Sequence, residues 1–178
     1  MKAFFDIDTQ LDFLYPAGAL YAPGCERVIP WVAKLNAYAV AHRIPLLSTT
    51  CAHTEDAGEF KVWPSHCVKH CLGQRKPAAT LVGEGQIILE KNELDLFSNP
   101  ETERILERFG ITDCCVYGVL TEYCVRLACM GLLSRGKKVS LVREATAHLS
   151  AEEARKTEDA FRAAGGTIIS FEDCLASS

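Results

Sequence analysis

The 178-residue sequence contains no run of basic residues longer than two, as at Lys137-Lys138. Its formal net charge is −4, so it offers no positive footprint for nucleic acid or for anionic lipid. This charge pattern excludes nucleic acids and membrane surfaces as expected partners. We expect the partner to be a small molecule that is neutral or mildly charged.

Long apolar runs are absent as well. None approaches the roughly 20 residues that a membrane-spanning helix needs. The sequence begins Met1-Lys2-Ala3-Phe4-Phe5-Asp6, so an acidic residue appears before the apolar core of a signal peptide is complete. These features predict a cytoplasmic location.

The cysteines do not form the regular framework of a small secreted domain. There are nine, an odd number, and they are spread through apolar strand-like and helix-like segments. We therefore expect reduced thiols. Their positions are Cys25, Cys51, Cys67, Cys71, Cys114, Cys115, Cys124, Cys129 and Cys174.

The remaining pattern is an alternation of short β-rich runs with helical periodicity, in a chain of a length typical of one domain (residues 1–178). Such an alternation predicts an α/β fold, a three-layer doubly wound sandwich around a six-stranded parallel sheet. Strands are predicted at about 2–8, 44–50, 86–91, 113–119, 138–143 and 167–171, and helices at about 26–42, 99–109, 122–135 and 151–164. Ser150 and Glu153 form a capping box at the start of the last predicted helix.

One segment breaks this rhythm. Residues 51–85, the long loop, show little periodicity and contain most of the histidines. A loop of this length inside a compact domain is usually functional. We expect it to carry a metal or substrate site.

Three polar residues lie at or just beyond the carboxyl ends of three predicted strands: Asp8, Lys91 and Cys124. The carboxyl ends of parallel strands share one edge of the sheet, so these side chains can meet around one substrate. An acid, a cation and a thiol together indicate an activated nucleophile. Asp6, on the same strand as Asp8, is a rival for the acid, but Asp8 lies nearer the strand's end and is preferred.

The motifs around these residues resemble, in order, the signatures of the isochorismatase-like cysteine hydrolases, and the nicotinamidase branch fits best. The resemblance spans essentially the whole chain, and the combination is more specific than any single motif. It rests on Asp8-Thr9-Gln10-Leu11-Asp12-Phe13, Trp63-Pro64-Ser65-His66-Cys67-Val68, Lys91, and Gly118-Val119-Leu120-Thr121-Glu122-Tyr123-Cys124-Val125.

The resemblance implies a catalytic triad of Asp8, Lys91 and Cys124, with a cis peptide bond before Leu120. It also implies that the backbone N–H groups of Leu120 and Cys124 hold the oxyanion of a tetrahedral intermediate. The implied reaction is hydrolysis of nicotinamide, or of a similar small heteroaryl amide, to the carboxylic acid and ammonia through a thioester. Among the aromatic residues, Phe13, Trp63 and Phe97 are candidates for the walls around a flat ring, with plain core packing about equally expected.

The resemblance also implies a metal site in the long loop, where His53, Glu59 and His66 match the family pattern. Cys51 stands where the family usually has aspartate, and an extended segment lets Cys51 and His53 point the same way. A thiolate, a carboxylate and two imidazoles favour zinc. If all four bind tetrahedrally, the site is closed and no position remains for substrate. Two alternatives stay open: a closed cluster of His66, Cys67, His70 and Cys71 on one helical face, or no metal.

Three functions follow from this pattern. The favoured one is a metal-assisted nicotinamidase, and the second keeps the fold and thiol but acts on another small amide or carbamoyl compound. The third is a zinc-stabilised thiol sensor without turnover, using Cys114, Cys115, Cys124 and Cys129. A homo-oligomer is compatible with the family and with the hydrophobic content of 48%.

Overall fold

The computed structural model describes residues 1–176. Six strands form a single sheet in the order β3-β2-β1-β4-β5-β6, and every neighbouring pair is parallel. The strands are β1 (Lys2–Ile7), β2 (Leu46–Cys51), β3 (Gln86–Lys91), β4 (Asp113–Val119), β5 (Lys138–Ala147) and β6 (Thr167–Ile169). The predicted doubly wound parallel sheet is confirmed.

Helices cover both faces of this sheet. They are α1 (Leu11–Leu14), α2 (Ile29–Ala41), α3 (Glu101–Arg108), α4 (Arg126–Ser134), α5 (Ala151–Ala163) and α6 (Phe171–Ala176). Side chains of β1 alternate between two buried clusters: Phe4 packs with residues of α2, and Phe5 with residues of α4. This alternation gives the three-layer sandwich. Within residues 1–176, no helix is both long and apolar enough to cross a membrane.

Several predicted boundaries shift for local reasons. The strand predicted at 138–143 continues to Ala147, and the one predicted at 167–171 ends at Ile169, where α6 follows. The helix predicted at 122–135 begins as α4 only at Arg126, because a π-helical turn occupies Thr121–Val125. The predicted cap of α5 is confirmed, since the Ser150 side chain accepts a hydrogen bond from the Glu153 N–H.

The strand order reverses direction between β1 and β4, so their carboxyl ends border the crevice where doubly wound sheets bind ligands. The long loop folds toward this edge and is tied to it by Gln10. The Gln10 side chain accepts from Cys51 N at 2.7 Å and donates to Cys51 O at 2.8 Å and to Gln74 O at 2.7 Å. One carboxamide therefore joins Cys51, where β2 ends and the long loop begins, to Gln74 in the interior of the loop.

Gly118 of β4 lies directly against Ile7 of β1, with no room for a side chain. Its φ is +121°, and a Cβ there would lie 2.1 Å from Ile7 O. We expect Gly118→Ala to lower the free energy of unfolding by about 3 kcal/mol or more, because the backbones have no room to separate. Urea unfolding measures this. Gly83→Ala is the matched control: Gly83 also has positive φ (+69°), but a Cβ there meets nothing within 4 Å. Its expected cost is only about 1 kcal/mol, and equal losses in both variants would rule out the steric explanation.

Candidate active site

The acid, the cation and the thiol predicted to meet at the sheet edge lie together in the structure. Lys91 Nζ is 2.8 Å from Asp8 Oδ2 and 3.7 Å from Cys124 Sγ. All three residues are buried, with exposures of 0% for Asp8, 4% for Lys91 and 6% for Cys124. Parallel pairing produces this convergence, because β1, β3 and β4 all deliver their carboxyl ends to one side.

Asp8 is aimed by its backbone and by the neighbouring strand β2. Its φ of +49° lies in the left-handed region, which aspartate tolerates better than most residues. Asp8 Oδ1 accepts a hydrogen bond from Thr49 Oγ1 at 2.7 Å. The backbone N–H of Asp8 donates to Thr49 Oγ1 at 3.1 Å. Thr49 is a positioning residue that the sequence did not reveal.

Asp6, the rival acid, serves a different network. Its Oδ2 is 3.0 Å from Lys76 Nζ and accepts from Asn36 Nδ2 at 2.9 Å. Residues two apart in a strand normally share a face. The positive φ at Asp8 takes it out of the strand geometry, so only Asp8 contacts Lys91 and the thiol.

Cys124 is presented by the π-helical turn that precedes α4. Tyr123 breaks the helical path there, with φ −121° and ψ −106°, and the N–H groups of Tyr123 and Val125 both donate to Leu120 O. The peptide bond between Val119 and Leu120 is cis, as the resemblance implied. Leu120 and Cys124 both line the cavity described below. Their role as oxyanion donors stays a prediction.

Charge compensation keeps Asp8 and Lys91 ionised in this buried setting. Burial raises the pKa of Asp8, but the Lys91 ammonium outweighs it and holds that pKa below its usual value. Burial lowers the pKa of Lys91, but the facing Asp8 carboxylate and the two thiols outweigh it and raise that pKa well above its usual value. The pair is therefore a carboxylate facing an ammonium.

A second thiol, Cys51, lies beside the nucleophile. Its Sγ is 3.2 Å from Lys91 Nζ. Hydrogen bonding between the two thiols lowers the pKa of Cys51 to about 6 and raises the pKa of Cys124 well above its usual value. The pairing therefore favours the proton on Cys124, and a base has to remove it before the sulfur can attack.

The thiols open onto an apolar cavity that also reaches Glu59 and His66. Phe13 and Trp63 line it, in agreement with the predicted walls. Phe97 does not: it packs against Gly131, and its ring centroid is 3.4 Å from Arg135 Cζ. The cavity has further lining residues that were not predicted from the sequence: Leu20, Tyr21, Ala22, Leu94, Val119, Tyr123 and Leu149.

Three of the predicted metal ligands, His53, Glu59 and His66, come together next to this cavity. Their candidate ligand atoms all lie within 4.8 Å of one another. Each imidazole is oriented through Nδ1, which lies 3.2 Å from Asn92 Oδ1 in His53 and 2.7 Å from Pro64 O in His66. Because Nδ1 donates to a carbonyl oxygen in both rings, Nε2 is the atom that each ring offers to a metal, which would displace any proton held there.

The atoms in this group fit a divalent cation. His53 Nε2 is buried and 2.9 Å from Glu59 Oε1, yet within residues 1–176 it has no hydrogen-bond partner of suitable direction. Burial lowers the pKa of His53, but the nearby Cys51 and Glu59 side chains raise it to about 10, so this position favours positive charge. Burial lowers the pKa of His66, which favours its metal-binding neutral form.

The fourth predicted ligand, Cys51, hydrogen-bonds to His53, but its sulfur does not lie within 4.8 Å of the candidate atoms of all three residues. Its Sγ falls instead within 4.8 Å of candidate ligand atoms of Asp8 and Cys124. The reason is strand register: Cys51 is the last residue of β2 and pairs with Lys91 on β3, so its thiol faces the triad, whereas His53 lies beyond the strand end. A set of two imidazoles and one carboxylate leaves the fourth tetrahedral position open, which is the arrangement of catalytic zinc sites.

The alternative cluster of His66, Cys67, His70 and Cys71 does not form within residues 1–176. Its premise was a helical face, but no helix covers residues 66–71. Cys67 N donates to Asp12 Oδ2 at 2.7 Å, and Cys71 is exposed.

Zinc binding separates the three-ligand arrangement from the four-ligand one. We expect His53→Ala and His66→Ala each to lose tightly bound zinc, since only two ligands remain. Cys51→Ser is the matched control and should retain zinc at the wild-type affinity. Metal analysis after dialysis, with competition against a chelator of known affinity, measures both. Zinc loss in Cys51→Ser equal to that in the histidine variants would restore Cys51 as a ligand.

Comparison with known proteins agrees with this geometry. The chain is 24% identical over 152 residues to N-carbamoylsarcosine amidase of Arthrobacter sp., covering 80% of this chain and 58% of that protein's length. Its fold matches the pyrazinamidase of Pyrococcus horikoshii in complex with zinc, with a TM-score of 0.89, 26% identity, and coverage of 95% of this chain and 98% of that one.

It also matches the pyrazinamidase/nicotinamidase of Streptococcus mutans UA159, with a TM-score of 0.88, 23% identity, and coverage of 95% and 100%. At that identity the match shows a shared fold. The model of the isochorismatase domain matches residues 2–173, which is nearly the whole chain and includes every strand and the three residues that converge at the sheet edge. The chain therefore belongs to the isochorismatase family.

Proposed function

We propose that this protein is a cysteine amidohydrolase that converts nicotinamide, or a similar small heteroaryl amide, to the carboxylic acid and ammonia. The observation that carries the proposal is the contact of Lys91 Nζ with both Asp8 Oδ2 (2.8 Å) and Cys124 Sγ (3.7 Å), beside an apolar cavity that the thiol lines. A thiol with a buried acid and a buried cation is the arrangement that covalent amide hydrolysis requires.

The first half of the reaction forms a thioester. Asp8 accepts the proton of the Cys124 thiol as Sγ attacks the amide carbonyl carbon. The N–H groups of Leu120 and Cys124 stabilise the resulting oxyanion, and Lys91 offsets the negative charge near the sulfur. When the intermediate collapses, the C–N bond breaks and Asp8 returns the proton to the departing ammonia.

The second half consumes water. Asp8, again a carboxylate, removes a proton from a water molecule that attacks the thioester carbonyl. The C–S bond breaks, the carboxylic acid leaves, and the Cys124 sulfur recovers its proton from Asp8. Lys91 keeps Asp8 oriented through both halves, because its ammonium contacts the carboxylate and donates to Glu93 O at 3.1 Å.

A divalent ion, which the donor set suggests to be zinc, would be held by His53, Glu59 and His66. Bound there, it would supply a Lewis acid that anchors a ring nitrogen of the substrate. Phe13 and Trp63 then confine the ring, since both line the same cavity as His66 and Glu59. The tilted contact of Phe13 with His66, with centroids 5.5 Å apart, places this aromatic wall directly beside the candidate ligand.

The cavity lining favours a neutral amide over a carboxylated one. Among the described lining residues, Glu59 is the only acidic side chain, and no lysine or arginine is present. N-carbamoylsarcosine carries a carboxylate, which meets no lysine or arginine side chain among these lining residues. Another small amide or carbamoyl compound is the second candidate, supported by the similarity to N-carbamoylsarcosine amidase.

A substrate comparison tests the proposal. Ammonia release is measured from nicotinamide, from benzamide, which lacks the ring nitrogen, and from N-carbamoylsarcosine. We expect kcat/KM for nicotinamide to exceed that for benzamide by about 10²-fold, because the group built to hold the nitrogen is left unpaired. N-carbamoylsarcosine should be the poorest substrate. If kcat/KM for N-carbamoylsarcosine equals or exceeds that for nicotinamide, the substrate is a carbamoyl compound, which is the second candidate.

The thiol-sensor function has less support. Three of its four cysteines, Cys114, Cys115 and Cys129, are at most 2% exposed and belong to the two hydrophobic cores. Their pattern is that of packing residues. Iodoacetamide labelling checks this: Cys124 should react well before these three, and uniform labelling would favour the sensor.

A further inference from the structure

Cys51 and Cys124 form a pair of thiols inside the substrate cavity. Candidate ligand atoms of Asp8, Cys51 and Cys124 all lie within 4.8 Å of one another, which places the two Sγ atoms within that distance. Both sulfurs contact the same ammonium, with Lys91 Nζ 3.2 Å from Cys51 Sγ and 3.7 Å from Cys124 Sγ. Among the described lining residues of the cavity, they are the only cysteines.

This arrangement has no use in the reaction proposed above, which needs one thiol. Cys51 contributes no proton transfer to that reaction, and its sulfur lies in one group with Asp8 and Cys124. A second thiol in near contact with a nucleophilic thiol is what a resolving cysteine requires. The cavity gives a small oxidant a route to both sulfurs, although each residue is at least nine-tenths buried.

We propose that Cys124 and Cys51 form a reversible disulfide when a hydroperoxide enters the cavity, so that oxidation switches the site off and protects the nucleophile from irreversible damage. The loss of activity rests on the proposed amidohydrolase function. Formation of the disulfide does not, because it involves only the two sulfurs, Asp8 and the oxidant.

The chemistry takes two steps. Asp8 takes the proton of the Cys124 thiol as its sulfur attacks one peroxide oxygen, an S–O bond forms, the O–O bond breaks, and the peroxide is reduced by two electrons as the sulfur becomes a sulfenic acid. The hydroxide or alkoxide released from the peroxide takes that proton from Asp8 and leaves as water or alcohol. Cys51 sulfur then attacks Cys124 sulfur, an S–S bond forms, and the S–O bond breaks. The departing hydroxide takes up the thiol proton and leaves as water. In sum, two thiols and one peroxide give one disulfide and two molecules of water or, with an organic peroxide, water and alcohol.

Two other features of the chain have to be controlled. Cys71 is the exposed cysteine of the nine, so it favours linkage between molecules. Cys115 and Cys174 form another close pair, with sulfurs 3.0 Å apart, but β4 places Cys115 toward the opposite end of the sheet from the cavity. The experiment therefore uses Cys71→Ser as its background and assigns each linkage by tandem mass spectrometry.

In that background, hydrogen peroxide should produce a Cys51–Cys124 linkage with a mass loss of about 2 Da, and a thiol reductant should reverse both the mass change and the loss of amidase activity. Adding Cys51→Ser removes the resolving thiol. Cys124 should then gain about 32 Da as the sulfinic acid, and reductant should not recover the activity that this variant had before treatment.

Two outcomes would overturn the proposal. One is accumulation of Cys124 sulfinic acid to the same extent with and without Cys51. The other is a linkage at Cys115 and Cys174 with none at Cys124. If the untreated protein releases ammonia from no amide, the proposed function fails, but the linkage measured by mass still decides the disulfide.

Discussion

Replacement of Cys124 by alanine is expected to lower kcat for nicotinamide by about 10⁴-fold or more, which leaves no ammonia release above background in an ordinary assay. The variant loses the only atom that forms the thioester, while the cavity walls, Asp8 and Lys91 remain. Substrate binding should change far less than turnover, because Phe13 and Trp63 still line the cavity. Steady-state kinetics and equilibrium binding of nicotinamide to the variant measure the two effects separately.

Cys129→Ala provides the matched control. Cys129 lies on α4, one and a half turns after the nucleophile, and its thiol is 2% exposed and packed in the core rather than at the cavity. We expect it to cost roughly 1 kcal/mol of stability and to keep nearly full activity. If Cys124→Ala retained wild-type turnover, the nucleophile would have to be sought elsewhere.

The second large effect is expected for Asp8→Asn, which should lower kcat by about 10³- to 10⁴-fold because the amide can neither accept the thiol proton nor return it to ammonia. The same change leaves the Lys91 ammonium buried, 4% exposed, without its carboxylate. Removing one partner of a buried ion pair costs about 3 to 5 kcal/mol. Both losses follow from one substitution, so kinetics and urea unfolding are measured on the same preparation.

A double variant separates the two losses. Asp8→Asn with Lys91→Met removes both charges, so most of the lost stability should return while activity stays absent. Asp6→Asn is a further control, since Asp6 forms a comparably buried ion pair with Lys76 at 3.0 Å on the other network. It should lose stability and keep turnover. Recovery of turnover in the double variant would mean that Asp8 acts only by holding Lys91.

The sheet and the triad could be predicted from the sequence because both depend on pattern. Apolar runs such as 113–119 indicate buried parallel strands, and three of the six predicted strands carry a triad residue at or just beyond their carboxyl ends. Parallel topology then brings Asp8, Lys91 and Cys124 to one edge without further information. The resemblance to a known family added the cis bond before Leu120, which no residue pattern would have indicated.

The features that the sequence did not predict correctly depend on side-chain direction at the ends of elements. Cys51 and His53 are two residues apart and their side chains do hydrogen-bond, but the Cys51 sulfur groups with Asp8 and Cys124 because Cys51 ends β2 in register with Lys91. Phe97 follows Lys91 closely in sequence, but its ring packs against the Arg135 guanidinium and does not line the cavity. Asn92 and Thr49, which orient His53 and Asp8, carry no distinctive motif and emerge only from their hydrogen bonds.

The carboxamide of Gln10 has a consequence for which molecules can react. It fixes the end of β2 to the loop that carries His53, Glu59 and His66, while Thr49 on the same strand fixes Asp8. In the proposed reaction the substrate reaches from Cys124 to the group of His53, Glu59 and His66, and these hydrogen bonds restrain the loop that carries that group. A pyridine carboxamide can reach Cys124 and this group together only when the separation of its carboxamide and ring nitrogen matches. We therefore expect the enzyme to distinguish positional isomers of equal size and polarity.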